Sequence, residues 1–116
     1  MQEEFPQETT PHPLARYNVT QRHILRDFAA RYIWWKTVDE AMQYPERVLA
    51  QVMNLGTYTD LGRLLTSWTP EELCHVLTQA EPGWFNERSW AFWHLRLAIT
   101  PVNGTPPPLP QRTFPD

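Results

Sequence analysis

The distribution of proline is the feature that most limits how this chain can fold. Three of the 12 prolines lie between residues 1 and 19, six lie from residue 101 onward, and only three lie between. Proline cannot donate a backbone hydrogen bond and disrupts the interior of a helix or sheet. We therefore predict a flexible acidic arm over residues 1–19, a folded domain over residues 20–100, and a flexible proline-rich tail over residues 101–116.

Helix-start signals divide the central segment. Thr69, Pro70 and Glu72 combine an N-cap, a first-turn proline and the partner residue of a capping box. Apolar residues recur at spacings of three and four after each such signal, which is typical of helices with one buried face. The same kind of signal occurs at Thr37/Glu40, Pro45, Thr57/Asp60 and Asn86.

These signals predict an all-α fold, a compact bundle of about five to six short helices joined by short turns. The first helix should run over residues 21–32, with Thr20 as its N-cap. Gly56 should end the third helix. The sixth helix follows Asn86 and is apolar on more than one side, so we expect it to be central or covered by another surface.

Composition and motifs exclude several classes of site. Cys74 is the single cysteine, and no run approaches the roughly 20 apolar residues of a membrane span. The four histidines lack the spacing of metal ligands, and neither a glycine-rich phosphate loop nor a nucleophile elbow is present. We therefore expect a cytoplasmic, non-catalytic protein with no metal, no cofactor and no membrane association.

The charges are unevenly distributed along the chain. Residues 12–36 contain five basic residues and one acid, whereas residues 37–116 contain five arginines and nine acids. An acidic body disfavours nucleic-acid binding, which depends on neutralising phosphates. A DNA-binding regulator that uses residues 16–36 stays open as a second hypothesis, although no recognition helix after a glycine turn is evident. A solvated helix face is the simpler interpretation of these charges.

Trp34 and Trp35 form the first of three candidate partner-binding clusters. Two adjacent residues cannot both face the core of a regular helix, so one of them should be partly exposed. Tryptophan is frequent at the energetic centres of protein interfaces. The alternative is a helix–loop corner that packs both rings.

The second cluster covers residues 82–96 and mixes aromatic rings with basic side chains. Its candidate residues are the aromatic Trp84 together with Arg88, His94 and Arg96. It fits a recognition surface for an acidic partner or a nucleic acid, or else a core helix whose arginines extend to solvent. An aromatic-rich helix on a small domain also fits a face between two copies, so a homodimer is a further alternative.

The third cluster is the tail segment over residues 107–112, which has the PxxPxR form of a proline-rich ligand. We expect a stiff segment that docks on a partner through Pro108, Pro110 and Arg112, with a disordered linker as the alternative.

The polar side of the third helix adds three further candidates. Arg47, Gln51 and Asn54 lie at helical spacing on a side with no evident role in the core. We include them among the predicted partner-binding residues.

Several strings of the sequence together resemble a family of short bacterial proteins. They are WWKT at 34–37, PERVLAQVMNLGT at 45–57, PGWF at 82–85, SWAFWH at 89–94 and PLPQR at 108–112. Members of this family are similar to the small proteins encoded beside AbiEii-type nucleotidyltransferases, the toxin-like proteins of phage-defence and toxin–antitoxin modules. The resemblance implies an antitoxin-like or accessory subunit that binds the nucleotidyltransferase and blocks it sterically. It supplies no catalytic residues.

Overall fold

Six α-helices and one short 3-10 helix make up the described part of the chain, residues 13–97 and 106–111 of a computed structural model. After the 3-10 helix at Pro13–Arg16, the helices are α1 (Val19–Tyr32), α2 (Val38–Ala41), α3 (Pro45–Leu55), α4 (Tyr58–Ser67), α5 (Pro70–Thr78) and α6 (Glu87–Arg96). No strand occurs in these residues, and the predicted all-α bundle is confirmed.

Side-chain caps determine where most of the helices begin. The predicted capping boxes at Thr37/Glu40 and Thr69/Glu72 are both present, with reciprocal hydrogen bonds of 2.9 and 3.1 Å in each. Thr57 and Asn86 cap α4 and α6 as predicted. Each cap of this kind contributes typically about 1 kcal/mol to stability.

α1 begins two residues earlier than predicted, and its cap is Asn18 rather than Thr20. The backbone N–H of Gln21 donates to Asn18 Oδ1 at 2.7 Å, and the N–H of Asn18 donates to Gln21 Oε1 at 3.0 Å. The side-chain amides of Asn18 and Gln21 therefore form at α1 the capping box that threonine and glutamate form at α2 and α5. Gln21 is buried, and its Nε2 also donates to the Ser67 carbonyl at 2.9 Å, which joins α1 to the end of α4.

The folded body starts before the predicted boundary at residue 20. Pro13–Arg16 form the 3-10 helix, and the following Tyr17 is buried with its ring edge-on to Trp68 at 6.2 Å. The Tyr17 hydroxyl donates to Glu46 Oε2 at 2.9 Å, which attaches this segment to α3. The rest of the predicted arm, residues 1–12, lies outside the described residues.

α3 is the central helix, in contact with α1, α2, α4, α5 and α6. Pro45 starts it and Gly56 ends it, as predicted. The N–H of Gly56 donates to the Val52 carbonyl at 2.7 Å, and a Cβ at residue 56 would collide with that same oxygen. Glycine is therefore required here by close approach rather than by an unusual backbone angle.

α6 is peripheral rather than central, so the first of the two sequence-based expectations for it is wrong and cover by another surface stays a prediction. Trp90 and Trp93 face inward, and Trp93 Nε1 donates to the Met53 carbonyl at 2.8 Å. Phe92 and Leu95 project from the opposite side and are 52% and 62% exposed. Among the described residues, no helix has the length and apolar character needed to cross a membrane.

Candidate protein-binding site

The turn between α1 and α2 presents two tryptophan rings to solvent. Ile33 ends α1 by donating its N–H to the Ala29 carbonyl at 3.0 Å, and its side chain is buried. The next two residues therefore leave the core: Trp34 is 78% exposed and Trp35 is 46% exposed. Their rings meet edge to face with centroids 5.5 Å apart. The alternative in which a corner packs both rings is excluded.

An open groove of about 400 Å³ lies beside this pair, and we call it the aromatic groove. The α1–α2 turn, the start of α3 and the segment that follows α5 form its walls. Its rings are Trp35, Tyr44 and Trp84, and its charged side chains are Lys36, Glu46, Arg47 and Glu81. Concave sites that combine aromatic walls with a few polar groups are typical binding sites.

Arg47 lines the groove and contacts two other predicted residues, Trp84 inside the groove and Gln51 outside it. Its guanidinium lies 5.6 Å from the centroid of the Trp84 ring, and its Nη1 donates to Gln51 Oε1 at 3.1 Å. Burial lowers the pKa of Arg47 from its ordinary value, while the charge of Glu81 opposes that change. An arginine stays protonated in either case, so the groove keeps a half-buried positive charge.

The groove holds more available positive than negative charge. Glu46 accepts from the Tyr17 hydroxyl and lies 3.9 Å from Arg16, so it is already engaged. Among residues 13–97, no ion pair within 4.0 Å includes Lys36 or Arg47. Lys36, Arg47 and the carboxylate of Glu81 are therefore without a direct ion pair in that range, and Arg47 also contacts Trp84 and Gln51.

Asn54 has a structural role, contrary to the reasoning that selected it. Its Oδ1 accepts from the backbone N–H of Asn86 at 3.1 Å, and its carbonyl accepts from the Ser89 hydroxyl at 3.2 Å. Both bonds hold the start of α6 against α3. The polar side of α3 therefore does contribute to the packing of the body.

His94, which the sequence suggests as a partner-binding residue, is buried in the structure. The side chain is only 4% exposed, and Nδ1 lies 2.7 Å from the Trp90 carbonyl. Because a carbonyl can only accept, Nδ1 carries the proton. The imidazole also packs on the Trp90 indole with centroids 4.2 Å apart. Its role is therefore to support α6 rather than to present a surface.

The other predicted residues of α6 lie outside the aromatic groove. Arg88 and Arg96 are both exposed. Arg88 lines a separate pocket with Asn54, Phe92 and other residues that the aromatic groove does not share. The structure therefore brings together Trp35, Arg47 and Trp84 but not these arginines.

The described part of the tail lies against the body of the same chain. Trp90 Nε1 donates to the Pro107 carbonyl at 2.7 Å, and Leu109 packs against the core. Pro108 is exposed and Pro110 is half-buried, whereas Arg112 lies outside the described residues. Residues 106–111 thus differ from the free tail that the sequence predicted.

A buried carboxylate between α1 and α4 is the main feature that the sequence did not reveal. Asp60 is 3% exposed and accepts from Arg31 at 2.6 and 2.9 Å and from the Tyr32 hydroxyl at 2.6 Å. The hydrogen bonds from Arg31 hold the pKa of Asp60 well below its usual range. Asp27 joins the network through hydrogen bonds from Arg63 at 2.7 Å and Arg31 at 3.0 Å, which lower the pKa of Asp27 as well.

This network and similar contacts engage the arginines of the basic segment. Besides Arg31, Arg26 pairs with Asp39 at 3.3 Å, and Arg22 Nε donates to the carbonyls of Leu14 and Tyr17. An arginine that is bound within the chain is less available for a phosphate. These contacts weigh against the DNA-binding hypothesis for residues 16–36.

Comparison with protein-family models, curated proteins and solved structures finds no match to this chain. Within residues 13–97 and 106–111, no group of three or more histidine, cysteine, aspartate or glutamate side chains could hold a metal ion. Burial, together with the charge of Glu71, raises the pKa of the Cys74 thiol, which leaves less of the reactive thiolate at neutral pH.

Proposed function

We propose that this chain is a non-catalytic binding protein that takes a protein partner in the aromatic groove, with Trp34 and Trp35 as anchors. The observation that carries the proposal is the exposure of both rings beside a concave site, which Trp35 lines and which Trp34 adjoins through its ring contact with Trp35. Covering apolar surface contributes roughly 25 cal/mol per Å², and an indole offers a large area to cover. An exposed tryptophan pair gains more from a partner than most surface residues do.

The charges of the groove indicate the chemistry of the partner. Lys36 and Arg47 have no carboxylate within 4.0 Å among the described residues, whereas Arg26 and Arg31 do. A partner segment that presents an apolar side chain next to an aspartate or glutamate would complement both features. Such charge complementarity sets orientation and association rate more than affinity.

The resemblance to the small proteins encoded beside AbiEii-type nucleotidyltransferases supplies the candidate partner. In this proposal the chain is an antitoxin-like or accessory subunit, and its helical body covers or positions the nucleotidyltransferase active site. No side chain of this protein needs to react. The single cysteine is consistent with a complex that forms in the cytoplasm.

Co-expression with the neighbouring open reading frame, which the proposal expects to encode a nucleotidyltransferase, followed by size-exclusion chromatography with mass determination, tests the proposal. The test variant is Trp34→Ala with Trp35→Ala. The matched control is Phe92→Ala with Leu95→Ala, which removes two exposed apolar side chains from α6 instead. Both pairs are at the surface, so both variants should fold.

The proposal expects one defined complex with the wild type and the control, and separate elution with the tryptophan variant. A complex that survives the tryptophan variant but not the control would move the site to α6. Separate elution of the wild-type proteins would remove the nucleotidyltransferase as the partner.

A further inference from the structure

The indole of Trp90 is held by a proline-rich segment of its own chain. Trp90 is almost fully buried, and its Nε1 donates to the carbonyl of Pro107 at 2.7 Å across 17 residues of sequence. A buried indole N–H is stabilised by an acceptor, because desolvation without one costs free energy. The tail therefore satisfies a polar group of the body.

The surroundings of this bond form a receptor for an apolar segment. Phe85 and His94 both pack on the Trp90 ring, with centroids 5.6 and 4.2 Å away. Leu109 reaches the core cluster, while Pro106 and Pro110 are half-buried. Pro108 between them points to solvent. Some tail side chains thus face the body and others do not.

Proline-rich segments suit this arrangement for a physical reason. Such a segment makes no internal backbone hydrogen bonds, so its carbonyls are free to accept from a partner. It also loses little conformational freedom on docking, because proline is already restricted. Domains that read proline-rich ligands use aromatic-lined grooves in the same way.

We propose that Trp90, Phe85 and the adjoining surface of α6 form a proline-rich peptide site, and that residues 106–111 are its resident, exchangeable ligand. An added peptide with the tail sequence takes the same site when the tethered copy is weakened. The site is separate from the aromatic groove and does not depend on the proposed nucleotidyltransferase partner.

The tether determines how strongly an added peptide is excluded. A short link gives the attached segment an effective concentration on the order of millimolar. The attached tail therefore competes with any added peptide. The apparent affinity of the peptide equals its intrinsic affinity multiplied by the fraction of sites that the tail leaves open. Weakening the tail in place should recover that affinity.

Nuclear magnetic resonance of the full chain with ¹⁵N-labelled tryptophan follows the site directly. The chain has six tryptophans, and Trp90→Phe identifies the Trp90 indole signal. Leu109→Asp introduces a charge at the contact with the core and should release the tail. Pro108→Ala is the matched control, because this side chain is exposed. Circular dichroism of each variant checks that the body stays folded.

The proposal predicts that Leu109→Asp shifts the Trp90 indole signal and accelerates its hydrogen exchange at least tenfold, whereas Pro108→Ala does not. A synthetic peptide of residues 105–112 should then return the signal of Leu109→Asp toward the wild-type position with saturation. It should bind the wild type at least tenfold more weakly, and a scrambled peptide should bind neither.

Two results would overturn the proposal. One is a Trp90 signal that Leu109→Asp leaves unchanged, which would mean that the tail does not occupy the site in solution. The other is a displaced tail with no saturable response to the peptide, which would make the contact a tethered packing interaction rather than a peptide site. If Trp90→Phe is unfolded, through-bond resonance assignment of the wild-type chain identifies the Trp90 signal instead.

Discussion

Arg31 on α1 and Asp60 on α4 form a bidentate ion pair, in which Nη1 and Nη2 of the arginine donate to the two carboxylate oxygens at 2.6 and 2.9 Å. Asp60 is buried, whereas Arg31 keeps 44% of its side-chain surface exposed. The carboxylate has therefore lost its water and depends on the guanidinium and on the Tyr32 hydroxyl. The pair joins two helices through residues that are 29 positions apart in sequence.

Asp60→Asn should destabilise the protein by about 2–3 kcal/mol, because it removes charge-assisted hydrogen bonds in a buried site. Urea unfolding at neutral pH measures this loss. Asp39→Asn is the control, since Asp39 pairs with Arg26 at the surface and should cost less than about 1 kcal/mol. Equal losses in the two variants would show that burial of Asp60 has no energetic consequence.

Stability should fall in acid, and Asp60 should account for part of the fall. Arg31 depresses the pKa of Asp60 in the folded state, so its contribution is present above the unfolded value of about 4. The contribution is lost as pH decreases below that value. The free energy of unfolding of Asp60→Asn should therefore change less between pH 6 and pH 3 than that of the wild type. The same slope in both proteins would contradict this assignment.

Tyr17 should make stability fall in alkali. Burial, with the nearby charge of Glu46, raises the pKa of Tyr17 above its ordinary value of 10.0. The unfolded chain therefore loses this proton first, and stability decreases above about pH 10. Tyr17→Phe should be less stable at neutral pH by about 1–2 kcal/mol, because it loses the bond to Glu46. It should also lose less stability between pH 9 and pH 11, which denaturant titration at both values would test.

Two glycines should respond to alanine in opposite directions. At Gly56 a Cβ would collide with the Val52 carbonyl, so Gly56→Ala should destabilise the protein by at least about 1 kcal/mol. At Gly62, inside α4, a Cβ would have no neighbouring atom within 4 Å, so Gly62→Ala should stabilise the protein by up to about 1 kcal/mol. Thermal unfolding of the two variants decides the signs. A stabilising Gly56→Ala would show that the end of α3 relaxes freely.

Features that depend on neighbouring residues could be predicted from the sequence. Thr37 and Thr69 cap helices because their partners lie three residues away, and the local signal is complete. The geometry of two adjacent side chains at a helix end predicts that one of Trp34 and Trp35 is exposed, but not that both are. The predicted cap at Thr20 was wrong because Asn18 and Gln21 form an equivalent box with amides.

Features that depend on distant residues could not be predicted in this way. Asp60 occupies the first turn of α4, where the helix dipole favours an acidic residue whatever its other contacts. Its contact with Arg31 depends on the packing of α1 against α4. His94 and Asn54 look available in the sequence because the burial of His94 and the hydrogen bonds of Asn54 to the start of α6 arise only in the folded chain. The bond from Trp90 to Pro107 likewise requires the path of the chain after α6.

Hydroxyl-radical footprinting of the free chain and of a complex with the proposed nucleotidyltransferase partner tests the proposed binding site, the aromatic groove with the adjacent Trp34, most directly. Trp34 is 78% exposed and should be oxidised rapidly in the free chain, while exposed Phe92 on α6 provides an internal reference. The proposed site predicts that complex formation slows oxidation of Trp34 at least fivefold and leaves Phe92 unchanged. Unchanged oxidation of Trp34 in a complex that protects Phe92 would contradict it.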